Sequence, residues 1–424
     1  MRVSLPYGES VQTASIDHAG ECRHLFVRSV PEPAPLDALL DGALEHPIAS
    51  PGLADFIEGG RRVVVLVPDR TRYCMLDRTL RPVLDRIHDS GIPAHHVTIV
   101  IANGTHAPQS EEERRALLGG DICDAYTVVE HRAKVEEDCV HVGTTRYGTD
   151  VKLNRVAAEA DRVVVVGTVV HHYFAGFGGG PKMFLPGVAA YSSALANHRR
   201  TLLPDGGFHP GCRDGAVEGN PVAEDILDAV RFFPPTFYIA VLFDEERRPF
   251  FAVSGDLVKA HRRAAEVVNS VWSVPVQQPA DFVIASCGGH PRDINVIQAH
   301  KTLHHAHYAL KPGGTMICLA ACPEGLGNPE LLRWFDYPTS EAMARAAVRD
   351  YTMNAHTAVA IRMKSESFNI ILVSSLNQSA VRLMGMTPAA TLQEAIDASG
   401  MCGARESRCY IIRNGSQLVP RLES

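Results

Sequence analysis

Runs of consecutive apolar residues recur along the chain: RRVVVLVP at 61–68, HVTIVIA at 96–102, DRVVVVGTVV at 161–170, FYIAVLF at 237–243, DFVIAS at 281–286, TMICLA at 315–320, NIILVS at 369–374 and CYIIR at 409–413. A strand with one wet face alternates apolar and polar side chains. Unbroken valine and isoleucine runs suit parallel strands covered on both faces. Helix candidates lie between them, at 78–90, 110–119, 189–203, 221–231, 254–271, 295–310, 339–350, 352–363 and 391–398. Strands alternating with helices predict βαβ units and an α/β fold. The opening stretches RVSLPYG and VQTASID fit a hairpin-like pair. The Pro/Gln-rich segment SVPVQQPAD (273–281) follows a long helix and marks a boundary near 272–278. The prediction is two domains, 1–272 and 278–424, each with a mostly parallel sheet flanked by helices, and an active site in the cleft between them.

Composition narrows the class. With 46% hydrophobic and 21% charged residues among 424, the chain has ordinary globular usage. Forty-one basic against 48 acidic residues give a net charge of −7, so no basic field exists to hold nucleic acid or an anionic membrane surface. No apolar run approaches the roughly 20 residues of a spanning helix. The start, MRVSLPYGES, lacks the basic and apolar regions of a secretory signal, and the expectation is a soluble, cytoplasmic protein. The ten cysteines are scattered without a CxxC pair, which predicts reduced, mostly buried thiols and no thiolate zinc site. Histidine is frequent, at 20. His300, His304, His305 and His307 spread around their helix rather than converge, which predicts packing or solvation for them.

Ligands of open α/β sheets sit beyond the carboxyl ends of the strands. Three predicted strands end there in polar clusters: Asp69, Arg70, Thr71 and Arg72; Asn103, Thr105 and His106; and His171 and His172 leading into AGFGGGPK. Gly176, Gly178, Gly179 and Gly180 permit close backbone approach to an anion. The loop is neither a Walker A nor a Rossmann fingerprint. Pro181 stands where each of those patterns needs a glycine, and Met183 where Walker A needs Ser or Thr. His106 and His172 come from different strands, so they are candidates to flank one molecule from two sides, as a reaction on either enantiomer requires. Arg72 offers a fork matched to a carboxylate, Lys301 a point charge, and Gln298 lies about one helical turn from Lys301.

These elements, in order, resemble the nickel-dependent lactate racemase family: Asp69-Arg70-Thr71-Arg72, Asn103-Gly104-Thr105-His106, His172-Tyr173-Phe174-Ala175-Gly176-Phe177 with Gly179-Gly180-Pro181-Lys182, Asn197-His198, GNPVAEDI at 219–226, and the Gln298/Lys301 helix. The resemblance implies racemisation or epimerisation of a 2-hydroxy acid with a nickel-pincer nucleotide, a pyridinium thioamide/thiocarboxylate mononucleotide covalently attached to Lys182. It implies His198 as the protein ligand to nickel and His106 and His172 as the acid/base pair. Arg72, Gln298 and Lys301 are then the substrate-binding residues, and Asp69, Thr71, Gly178, Gly179 and Gly180 surround the cofactor, Asp69 orienting Arg72 or a histidine. The implied partners are the small substrate and the enzymes that build the cofactor, with no nucleic acid or membrane.

One position departs from the family pattern. Lactate-type members carry an aromatic residue before the glutamine, where Ile297 stands here. The departure predicts a short-chain or somewhat larger 2-hydroxy acid rather than strict use of lactate, with His290 and Arg292 as candidates to tune the choice. Two other readings use the same residues: a Lys182 Schiff-base enzyme acting on a carbonyl compound, and a non-catalytic nucleotide- or cofactor-binding protein.

Overall fold

All eight apolar runs are strands, and burial on both faces is the reason. The computed structural model describes residues 1–17, 20–27, 30–404 and 406–423. Its contacts divide into two units, Val30–Arg200 with Gly211–Asn269, and Met1–Ser29 with Thr201–Pro210 and Ser270–Ser424.

In the unit Val30–Arg200 with Gly211–Asn269, six strands make one sheet: β1 (Val63–Pro68), β2 (Val97–Ala102), β3 (Thr127–Glu130), β4 (Arg162–Gly167), β5 (Thr236–Phe243) and β6 (Pro249–Asp256). Their order is β6-β5-β4-β1-β2-β3, parallel throughout except for the antiparallel edge pair β5/β6. Every residue of β1 is buried. Val63, Val65 and Val67 share a core with Leu80, Val83, Leu84 and Ile87 of helix α1 (Leu76–Asp89). Val64 and Leu66, pointing the other way in the pleat, are buried as well. The chain runs outward from β1 to β3, then returns and runs from β4 to β5 on the opposite side. This order reverses direction between β1 and β4, and ligands of such sheets bind beyond the carboxyl ends of the strands at that point.

The second unit repeats the plan. Strands β7 (Ala280–Ser286), β8 (Leu310–Leu319), β9 (Asn369–Val373), β10 (Thr387–Ala389) and β11 (Arg408–Ile412) run parallel in the order β10-β9-β8-β7-β11, and Glu21–Leu25 pairs in parallel beyond β11. The boundary expected near 272–278 is close to the change of unit between Asn269 and Ser270. The span 1–272 nevertheless needs correcting. The hairpin Arg2–Tyr7/Ser10–Ser15 and the strand Glu21–Leu25 belong with the C-terminal residues, because β11 supplies the ladder partner that an isolated strand lacks. All ten cysteines are free, and Cys402 is the exposed one. His300, His304 and His305 are buried in the second unit, His305 hydrogen-bonded through Nδ1 to the Gly415 carbonyl at 2.8 Å. Among the described residues no helix is long and apolar enough to cross a membrane.

Candidate functional site

The carboxyl ends of β1, β2 and β4 deliver the candidate residues. Asp69, immediately after β1, is 4% exposed. Its Oδ1 accepts from the Thr71 N–H at 3.1 Å and the Thr71 hydroxyl at 2.6 Å, a local turn that holds the carboxylate in one rotamer. Its Oδ2 lies 2.5 Å from His106 Nδ1. Burial alone pushes the carboxyl up. The charge and hydrogen bond of His106, the Thr71 bonds and the Arg72 charge together overcome this and hold it down to about 2. The acidic residue of this loop therefore orients a histidine. Thr71 bonds to Asp69, and Asp69 in turn to His106, so both Asp69 oxygens are engaged within the protein. The Arg72 guanidinium lies on the glycine loop instead, with Nη1 3.7 Å from the place a Cβ on Gly178 would take.

The loop that carries His106 is fixed from below. Asn103 donates through Nδ2 to Glu130 and to the His131 carbonyl, Gln109 donates to Asn103 Oδ1, and the Gly104 N–H donates to the Gly187 carbonyl. The His106 side chain itself remains 40% exposed.

After β4 the chain makes a two-residue ladder, His171 opposite Phe177 and His172 opposite Gly176. His172 is buried, and its Nδ1 faces the Ala175 N–H at 3.4 Å. Gly179 has φ +77°, and a Cβ there would stand 2.1 Å from the Thr168 carbonyl oxygen. Gly180 has φ +51°, and its Cβ would strike the His261 ring at 2.4 Å. Gly178 is different: its backbone is unstrained, and a Cβ would meet Val170 at an ordinary 3.4 Å. Alanine at Gly179 is therefore expected to cost about 1–3 kcal/mol in backbone strain before any clash is counted. Alanine at Gly178 is expected to stay within about 0.5 kcal/mol of the parent. Thermal unfolding of the two variants checks this, and equal losses would show that the loop is not held as described.

Lys182 sits half-buried in a short turn, Gly180–Met183, with Nζ 5.2 Å from the centroid of the Phe174 ring. His198 ends helix α2 (Tyr191–His198) and packs edge-on to the same ring at 4.9 Å. His172 meets that ring too, at 4.5 Å and 85°. The preceding residue, Asn197, donates to Asp225 Oδ2 at 2.9 Å. Asp225, fully buried in helix α3 (Pro221–Ala229), also accepts from Thr145, Thr149 and Arg200, so its charge is fully paired. The GNPVAEDI stretch thus anchors the end of α2 that carries His198. A cavity of about 340 Å³ opens beside the loop, with Phe177, Pro181, Lys182, Glu218, Ile226 and Arg262 among its walls.

The cofactor implied by the resemblance fits these residues in two respects. An amine and an imidazole from different elements meet one buried ring. Among the described residues no three His, Cys, Asp or Glu side chains converge on one point, so an ion at His198 would take its other donors from a bound group.

Gln298 and Lys301 lie in the second unit, on helix α5 (Val296–Ala306), where Lys301 Nζ donates to Gln298 Oε1 at 2.5 Å. Asn295 caps that helix by accepting from the Gln298 N–H. Phe174 stands in the motif that carries the resemblance without a role assigned to it, and His261 is not marked by any sequence motif. His261, on helix α4 (Leu257–Trp272), donates through Nε2 to the Gly178 carbonyl at 3.0 Å. Burial, partly offset by that bond, pulls its imidazole down to about 4, so it supports the loop as a neutral donor near pH 7. The small residues around it, Ala260, Ala264 and Ala265, were the available signal that a backbone comes close to this helix.

The chain matches two protein families, described as the lactate racemase N-terminal domain over residues 7–207 and the lactate racemase C-terminal domain over residues 276–419. It is 32% identical over 387 residues to a lactate racemase of Thermoanaerobacterium thermosaccharolyticum, with 89% of each chain covered. It is 31% identical over 328 residues to a lactate racemase of Lactiplantibacillus plantarum, covering 77% of this chain and 76% of the relative. The solved lactate racemase apoprotein from T. thermosaccharolyticum superposes with a TM-score of 0.87 at 29% identity, over 99% of this chain and all of that one.

Proposed function

The chain belongs to the lactate racemase family and so to the isomerases, and on that premise we propose that it interconverts the enantiomers of a 2-hydroxy acid using a nickel-pincer nucleotide attached to Lys182. The observation that carries the reading is the meeting of Lys182, His198 and His172 on one buried ring, beside the β1/β4 crevice, in a chain this similar to racemases.

The Cα–H of a 2-hydroxy acid is a very weak acid, and taking it as a proton faces a high barrier. The cofactor, when bound, supplies an acceptor and donor for hydride. The protein's task is then the hydroxyl proton. A histidine accepts it as the Cα–H leaves with its electron pair, and the substrate becomes a 2-oxo acid. Return of the pair to the opposite face, with a proton from the other histidine, gives the other enantiomer. His106 and His172 come from the loops after β2 and β4, the two strands flanking β1, which suits one base for each enantiomer. Arg72, with Gln298 and Lys301, is assigned to the substrate's carboxylate and neighbouring oxygens. A cytoplasmic location and dependence on cofactor-building enzymes belong to the same proposal.

The test is intact mass and nickel content of protein from a host that makes the cofactor. A mass increment on the Lys182 peptide with about one nickel per chain is expected. Fully maturated protein unmodified at Lys182 would overturn the reading. On substrate, Ile297 packs partly buried against the core of the second unit, and we take it to offer the substrate an apolar side chain where lactate-type members have an aromatic one. Turnover of 2-hydroxybutyrate is therefore expected to equal or exceed that of lactate, with malate as the polar comparison. A strong preference for lactate would overturn this part alone.

A further inference from the structure

Phe174 is 3% exposed and has no proton to give or take, yet it meets three residues assigned to chemistry. The three arrive on separate elements: His172 on the ladder after β4, Lys182 on the turn beyond the glycines, and His198 at the end of α2. The rings of His172 and His198 stand at 85° and 68° to the Phe174 ring, the edge-to-face arrangement that aromatic quadrupoles favour. The Lys182 ammonium lies within the roughly 6 Å at which a ring attracts a cation. Each contact is orientational, whereas a leucine of similar bulk would fill the space without setting an angle.

The main chain of Phe174 is also fixed. Asn220 is fully buried, and its Nδ2 donates to the Phe174 carbonyl at 2.9 Å and to the Ala216 carbonyl at 3.0 Å. Its Oδ1 accepts from the N–H groups of Val222 and Ala223, capping α3. One asparagine therefore ties the ring's backbone to the helix whose Asp225 anchors Asn197, the neighbour of His198.

We propose that Phe174 is a positioning residue for this reaction: its ring sets the Lys182 amine and the His198 imidazole relative to each other and to the His172 base, with Asn220 as the clasp that holds the ring in place. The inference rests on the reading of Lys182 and His198 given above. It adds that the metal ligand and the tether are aligned by an aromatic side chain that takes no part in bond making.

The experiment compares the wild type with Phe174→Leu and Phe174→Tyr, all matured in the cofactor-making host. It reads unfolding temperature, mass increment on Lys182, nickel per tethered chain after dialysis against a chelator, and kcat and KM separately. Phe174→Leu is expected to remain folded and tethered, to lose nickel and kcat by about 10-fold or more, and to keep KM within about twofold. Phe174→Tyr, which keeps the ring, is expected to recover both. Should Phe174→Leu not fold, Phe174→Met of similar reach takes its place. Wild-type nickel retention and kcat in the ringless variant would overturn the proposal, as would losses that only track the folded fraction. An untethered wild type would instead overturn the cofactor reading itself, so the two failures are distinguishable.

Discussion

Replacing Lys182 with arginine is expected to give a folded chain that carries no tethered nucleotide and racemises 2-hydroxy acids at background. Arginine keeps the positive charge and stacks on an aromatic face, so the contact with Phe174 is retained and the largely buried turn Gly180–Met183 is not left with a hole. What it loses is the primary amine. A guanidinium is protonated at every accessible pH and does not form the thioamide that the proposed tether requires. Unfolding temperature should therefore move by only a few degrees while the mass increment disappears. Since enzymes accelerate their reactions by at least about 10⁶-fold, loss of the cofactor should remove essentially the whole rate. Chiral analysis of product, paired with intact mass, reads both quantities on one sample. Racemisation that survives in untethered Lys182→Arg protein would leave the lysine with an ionic role only. A variant that fails to fold would be visible in the unfolding scan before any activity was interpreted.

The strands were legible because continuous valine and isoleucine have one good solution in a soluble α/β protein, burial on both faces, and β1 and β4 adopt it. The local turn of Asp69 and Thr71 was legible for a similar reason, being a contact two residues apart. Pairings between distant segments leave no such trace. Glu21–Leu25 has a register with Arg408–Ile412 almost four hundred residues away, and nothing in its five residues names that partner. The same limit hid the antiparallel edge strand β6. Its end looks like the start of a helix at 254, whereas the helix begins at Leu257 once Asp256 accepts from the N–H groups of Val258 and Lys259. Just before it, Gly255, at φ +126°, passes within Cβ-clashing range of Ile48. In the site, residue types marked Lys182, His106 and His172, since amines and imidazoles advertise chemistry. Phe174 and Asn220 act through angle and backbone contact. Their types are those of any core ring or helix cap, so only the fold reveals what they touch.

Asp69→Asn is expected to lower kcat by about 10²–10⁴-fold while leaving the tether and nickel in place, and the hydrogen-bond pattern dictates the direction. The Thr71 N–H and hydroxyl both donate to Asp69 Oδ1. An asparagine must therefore turn its amide oxygen toward Thr71 and its NH₂ toward His106. In the wild type, Oδ2 accepts from His106 Nδ1–H, which leaves Nε2 as the basic nitrogen that the proposed proton transfer requires. Facing an NH₂ group, Nδ1 must become the acceptor, the proton moves to Nε2, and the ring loses its basic face. The carboxylate's charge, which would stabilise an imidazolium formed in the proposed proton transfer, is lost as well. Stability should report the same pair independently. Asp69 is held down to about 2 against an ordinary carboxylate value near 4, so its contribution is fully present above about pH 4 and is lost as pH falls through about 2. Because His106 is 40% exposed and solvent screens the pair, that contribution is about 1–2 kcal/mol rather than the larger value the shift alone would give. The asparagine variant should therefore show a flatter loss of stability between pH 4 and 2 than the wild type. A variant retaining more than about a tenth of kcat would remove His106 from the proton transfer. If the rate fell but the acid profile matched the wild type, Asp69 would serve the reaction without the ion pair described here.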